Sequence, residues 1–224
     1  MLEHSKIIQA VAREALYPLG LRQQGRSRTW LDDRLWWLVV VEFQPSDWAR
    51  GTYLNVGACW LWNVKDYLSF DVGFRLEGFI KFDSASGFEA GAQQCAARAV
   101  AEVLSLRARF ATVSAVASHY IKECEQIEPN RSVWPWFHRG ISCALSGQVG
   151  EAERSWEAIA TPQANDYDWM TQARRDVATL ALATQNGLQA FKGEVASRIA
   201  QARGLLKLSH LDASVIAAEL DKRP

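Results

Sequence analysis

Residues 35–43 read Leu-Trp-Trp-Leu-Val-Val-Val-Glu-Phe, and residues 53–64 read Tyr-Leu-Asn-Val-Gly-Ala-Cys-Trp-Leu-Trp-Asn-Val. The first is a nearly unbroken apolar run of strand length, the pattern of a central strand covered on both faces. The second alternates, with Leu54, Val56, Ala58, Trp60, Trp62 and Val64 on one side and Tyr53, Asn55, Gly57, Cys59 and Leu61 on the other. Gln44-Pro45-Ser46-Asp47 separates them, because proline cannot donate to a ladder. Two such runs joined by a short breaker predict an antiparallel pair.

Working outward, Arg22–Trp30 has period two and reads as a strand, with Arg22, Gln24, Arg26, Arg28 and Trp30 on one face and a turn at Asp32-Asp33. Downstream, Leu68, Phe70, Val72 and Phe74 alternate as a further strand, and Phe79, Ile80 and Phe82 add a short edge. Upstream, Ile7, Ile8, Val11, Ala12, Ala15 and Leu16 recur at helical spacing until Pro18 and Gly20 close the segment. Residues 1–85 are therefore expected to form a helix on a four- to five-stranded antiparallel meander.

From residue 86 the period becomes helical. Ser86-Gly87-Phe88-Glu89 has the form of a capping box. The apolar pattern then runs to Ile127, too long for one globular helix, so a break is expected near Phe110–Ser114, with Glu128-Pro129-Asn130 ending the segment. This long or broken helix should pack on the sheet. Residues 134–222 read as helical hairpins, punctuated by Gly147–Gly150, Pro162 and Asn186-Gly187. Trp136, Gly140, Gly147, Ala152 and Trp156 fall at the packing positions of a tetratricopeptide repeat. The next 34 residues break that pattern at Arg174 and Asn186, so the stretch reads as one packed hairpin and not as an array. The expected fold class is α+β, a sheet half (1–85) followed by an all-helical half (86–224).

Lys+Arg and Asp+Glu both number 25, which removes a general electrostatic case for nucleic acid or a membrane surface. No run approaches the roughly 18 apolar residues of a membrane span, and the N-terminus has no apolar signal core. Cys59, Cys95, Cys124 and Cys143 are scattered among apolar residues and read as reduced, buried thiols, which fits a cytoplasmic location. Ten tryptophans are the one unusual count, and for each the core reading is preferred over a binding surface.

The opening half resembles a family of bacterial domains of unknown function. The carriers are Leu19-Gly20-Leu21 followed by Gly25 and Arg28, then Phe43-Gln44-Pro45-Ser46, then Tyr53-Leu54-Asn55-Val56-Gly57, within residues 6–80. Pro45 departs from the family, where a basic residue is commoner. The resemblance implies an α+β fold, no catalytic residues, and a setting beside polymorphic toxins that suits an immunity or accessory protein.

Chemistry-bearing patterns are sparse. There is no HExxH, no GxSxG and no phosphate-binding glycine loop, and His4, His119, His138 and His210 stand apart from the cysteines, so no catalytic, metal or cofactor residue is nominated. Asp32-Asp33 reads as a turn, not as a carboxylate pair. Two surface patches remain. Arg22, Arg26 and Arg28 with Trp30 could hold a phosphate backbone and stack bases, or could keep an edge strand soluble. Trp134 and Trp136, flanking Pro135 at a helix start, could pack down as a staple or anchor a partner. The favoured expectation is a non-enzymatic module that binds a protein, a cognate toxin being the partner its family setting implies. A single-stranded nucleic-acid binder using the Arg/Trp face is the first alternative, and a hydrolase with a dispersed site the second.

Overall fold

The computed structural model describes residues 3–129, 131–161 and 167–221. It has an N-terminal helix, a five-stranded antiparallel sheet and then helices, an α+β arrangement. The chain divides into two units, Met1–Ala108 and Arg109–Pro224. The change to helical period put the boundary at residue 85, whereas the first unit also takes in the helix that follows, which packs back on the sheet.

In the first unit, helix α1 (Glu3–Leu16) closes through a 3₁₀ turn at Tyr17–Leu19, where Gly20 takes the left-handed conformation (φ 91°). Strands β1 (Arg22–Gln23), β2 (Thr29–Asp33), β3 (Trp37–Gln44), β4 (Gly51–Trp60) and β5 (Val72–Lys81) form a meander in sequence order. Helix α2 (Ala85–Arg109) follows. Register places Trp30, Asp32, Val39, Val41, Phe43, Leu54, Val56, Ala58 and Trp60 on one face. Helix α2 lies on that face: Arg107 Nε donates to Asp32 Oδ2 (2.8 Å) and Arg107 Nη2 to the Leu19 carbonyl (2.7 Å), and Arg98 pairs with Glu77. The α1 stripe joins this layer through His4, which meets Phe88 of α2. On the opposite face the loop after β4 folds over the sheet, with Phe70 against Gly57. Strands β3 and β4 are thus buried on both sides, which is why residues 35–43 read as an unbroken apolar run.

Several local expectations shift. The Arg22–Trp30 segment is not one strand but the β1–β2 hairpin. Gly25 is left-handed (φ 57°), Gln24 N–H donates to the Thr29 carbonyl (2.9 Å), and the Ser27 hydroxyl to the Gln24 carbonyl (2.7 Å). Asp32 and Asp33 belong to β2, not to a turn, because Arg107 holds Asp32 in the covered layer. The reversal falls at Arg34–Trp36 instead, where Leu35 (φ 70°) donates its N–H to Asp33 Oδ1 (3.0 Å). Strand β4 ends at Trp60, short of Val64. Leu68–Asp71 is loop, and the last strand starts at Val72 and takes in Phe79 and Ile80 of the expected short edge, ending at Lys81 before Phe82. Asp71 is the cause: Oδ2 accepts the Trp60 N–H (2.7 Å), and Oδ1 accepts Ser69 Oγ (2.8 Å) and Lys65 Nζ (3.2 Å). The cap of α2 is Ser84, whose hydroxyl accepts the Gly87 N–H (3.3 Å), two residues before the expected Ser86.

Five of the first six tryptophans are interior. Trp36, Trp60 and Trp62 lie nearly parallel at 5.4–5.8 Å between centroids, with Trp37 tilted against the group. Trp48, by contrast, is 96% exposed on the β3–β4 turn and departs from the core expectation. The edge strand β5 carries the charged residues Arg75, Glu77 and Lys81, which oppose edge-to-edge pairing. Its ladder with β4 has two register irregularities between Thr52 and Asn55.

The second unit comprises α3 (Val113–Cys124), α4 (Val133–Leu145), α5 (Val149–Ala160), α6 (Asp168–Gln185), α7 (Leu188–Leu205) and α8 (Ala213–Leu220). The expected break falls between α2 and α3, where Thr112 Oγ1 accepts the Ala115 N–H (3.2 Å) and starts a new helix. Helices α4 and α5 form the expected hairpin about Gly147 (φ 78°). Gly140 faces Trp156 so closely that a Cβ there would run into the indole nitrogen. Arg139 on α4 pairs with Glu151 on α5, and Arg198 on α7 with Asp176 on α6 (2.7 Å). Asn186-Gly187 separates α6 from α7 as expected, whereas Asn130 and Pro162 lie outside the described residues.

Candidate interaction site

Helix α4 begins with Val133-Trp134-Pro135-Trp136, so Pro135 sits in the first turn, where its missing N–H has no helical acceptor to lose. The two tryptophans that flank it take different roles. Trp136 Nε1 donates to the Ile127 carbonyl (3.1 Å), with the Arg139 guanidinium 5.2 Å from its ring centroid. That bond ties the α3–α4 connection to α4. Trp134 stacks instead on Trp169 at the start of α6 (5.6 Å, 16°), and Trp169 on Tyr167 (6.2 Å, 9°).

Toward the interior Trp134 lies over His138 (6.3 Å, 24°) and edge-on to Phe137 (5.7 Å, 86°), and His138 meets Tyr120 (5.3 Å). His138 and Tyr120 are buried, while Trp169 is 44% and Tyr167 69% exposed. A ladder of rings thus runs from the core to the surface, its inner members immobilised by packing. Large rings with two side-chain torsions lose little entropy when covered, so a pre-stacked exposed set suits a partner contact. Sequence reading named Trp134 and Trp136 but not Tyr167 and Trp169. The only signal was two aromatics at i and i+2 in Tyr167-Asp168-Trp169, with nothing to place them beside Trp134.

The Arg/Trp patch does not assemble as a face. Trp30 is 2% exposed and points into the helix-covered layer, where no base could stack on it. Arg28 is half-buried, its Nη2 donating to Ser5 Oγ (2.5 Å) and its Nη1 to the Gly51 carbonyl (3.3 Å), and burial lowers its pKa. It staples α1 to the start of β4. Arg22 rests over the Tyr17 ring (4.4 Å), and Arg26 is exposed on the hairpin turn.

Two further polar clusters of the sheet unit are bonded within themselves. On the sheet face opposite α2, the Asn55 amide donates to Glu42 Oε2 (2.9 Å) and Gln44 Oε1 (3.0 Å), and Arg75 Nη2 donates to the same Gln44 oxygen (2.7 Å). Lys65 donates to both Ser69 and Asp71. The four cysteines are buried and unpaired. Burial pushes the Cys95 and Cys143 thiols to about 11 and that of Cys124 to about 12, and raises that of Cys59. They are protonated at neutral pH and poor nucleophiles. Among the described residues, no group of three or more His, Cys, Asp or Glu is placed to hold a metal, and no helix is long and apolar enough to cross a membrane.

Comparison with known proteins finds no matching family model, no matching curated protein and no matching solved structure.

Proposed function

We propose that this chain is a non-enzymatic protein-binding module whose helical unit engages its partner through the Tyr167–Trp169–Trp134 face. One observation carries the reading: three stacked rings at the surface are anchored on a buried aromatic ladder, so a rigid apolar contact is presented at low entropic cost. An immunity or accessory role is the setting implied by the resemblance of residues 6–80, and a cognate toxin is then the expected partner.

The test is affinity capture of the tagged chain from lysate of its own cells, with and without nuclease, read by mass spectrometry. A stoichiometric protein partner should survive nuclease and be lost with Trp169→Ala or Trp134→Ala, while Trp48→Ala leaves capture intact. Enrichment that disappears with nuclease, or a partner indifferent to both Trp134 and Trp169, rules the reading out.

A further inference from the structure

The chain has five tyrosines, of which Tyr120 is buried and the other four reach the surface. Three of those four carry one of the chain's own cations over the ring. Arg22 lies 4.4 Å from the Tyr17 centroid, Arg75 3.9 Å from that of Tyr53 and Lys65 5.9 Å from that of Tyr67. Tyr167, the most exposed of the set at 69%, has no such cation among the described residues, and neither do Trp169 and Trp134 beneath it. The face of an aromatic ring is electron-rich, and a cation is its electrostatic complement.

The sequence explains the gap. Residues 155–173 contain no Lys, Arg or His. Arg174, the first cation beyond them, turns its Nη1 to the Ile159 carbonyl, and Arg139 on α4 lies over Trp136 and pairs with Glu151. The exposed Arg131 and Arg175 rest on none of the three rings. Between Tyr167 and Trp169 stands Asp168, exposed and with no ion pair or hydrogen bond at its carboxylate among the described residues. In the first turn of α6 it meets the positive helix end, which offsets only about half of a unit charge, so a negative remainder stays beside the rings.

We infer that the ring stack receives an arginine side chain of the protein partner, laid against Tyr167 and Trp169 and paired with Asp168. The inference rests on the stack being the partner contact and adds what the partner brings to it. Three features select the occupant. An apolar side chain would strip water from Asp168 and leave a carboxylate with no partner. A phosphate or an acidic segment would be repelled by Asp168 and by the ring faces. A planar guanidinium lies flat on a ring and still donates its N–H fork to a neighbouring carboxylate, which a compact ammonium does less well. The chain's own contacts follow that preference, with arginines 3.9–5.2 Å from ring centroids and the lysine at 5.9 Å.

The experiment is selection of displayed random peptides on the full chain, with counter-selection on Trp169→Ala, followed by titration of synthetic copies of the enriched peptides. Those that depend on Trp169 should share an arginine. Exchanging it for citrulline, which keeps the shape and loses the charge, should weaken binding by roughly fivefold or more, and exchanging it for lysine by less. Asp168→Asn and Tyr167→Leu, both at exposed positions, should each weaken the arginine peptide, while Asp168→Asn leaves the citrulline peptide unchanged. Trp169-dependent peptides that lack arginine, that bind equally well with citrulline or that ignore Asp168→Asn overturn the arginine and leave the stack standing as a contact. Absence of any Trp169-dependent peptide overturns the stack as a contact surface, and this inference with it.

Discussion

Tryptophans on the strands and tryptophans at helix starts do different work. In the sheet unit Trp30, Trp36, Trp37, Trp60 and Trp62 are interior and only the turn residue Trp48 is open, while in the helical unit the mid-helix Trp156 is buried but Trp169, at a helix start, is 44% exposed and Trp134 half-buried beneath it. The cause is architectural. Strands β3 and β4 are covered on both faces, by the helical layer on one side and partly by the 61–71 loop on the other, so large rings there have nowhere to go but inward. A helix in the second unit buries one stripe, and a ring at its first turn can pack with one edge and leave the other open. Tryptophan count therefore says little about surface until the layers around it are known.

The largest expected effect breaks that contrast if it fails. Trp60→Ala removes a ring that stacks on two others and should cost about 3–5 kcal/mol in urea denaturation of the full chain. Trp169→Ala removes a ring of similar size, yet should change stability by no more than about 1 kcal/mol, since nearly half of its surface is already in water. Equal losses at the two sites would mean that the Tyr167–Trp169–Trp134 stack is structural, and the proposed contact would lose its basis.

Legibility in the sequence followed the same divide between pattern and neighbour. Strands β3 and β4, the α2–α3 break and the hairpin at Gly147 are set by local periodicity and turn residues, and all were readable. What misled were segments whose conformation is dictated by a distant partner. Leu68–Phe74 alternates like a strand, but the Asp71 carboxylate is spent on Trp60, Ser69 and Lys65, and the chain loops over the sheet before β5 begins. Asp32-Asp33 looks like a turn until Arg107, 75 positions away, draws Asp32 into the layer beneath α2. The ring stack joins positions 134 and 169 across two helices, and no window of sequence contains both.

A smaller effect sharpens the comparison within the helices themselves. Gly140 and Gly193 are both helical glycines, and intrinsic propensity favours alanine at each by up to about 1 kcal/mol. At Gly193 a Cβ meets nothing within 4 Å, so Gly193→Ala should stabilise. At Gly140 a Cβ would strike the Trp156 indole, so Gly140→Ala should destabilise by about 1–3 kcal/mol through forced repacking. In a double-mutant cycle, Trp156→Phe should recover part of that loss, because the two positions share one contact. Two alanines of the same sign would show that Trp156 relaxes freely, and the α4–α5 hairpin would then be less tightly keyed than its geometry indicates.

The smallest effect concerns protons. His4 in α1 is buried between Phe82 (5.6 Å) and Phe88 (6.3 Å), and its pKa is lowered below 6.5, first by burial and then by the charges of Arg28 and Arg50. With the folded value below the unfolded one, the unfolded chain binds the extra proton as the solution is acidified. The stabilising contribution of neutral His4 is thus complete above about pH 6.5 and is lost progressively as pH falls through the folded pKa. Denaturation midpoints at pH 7.5 and pH 5 should drop more for the wild-type chain than for His4→Leu, which has no proton to take up at that corner. Parallel pH dependences would place the acid sensitivity of the sheet unit elsewhere and make His4 a packing residue only.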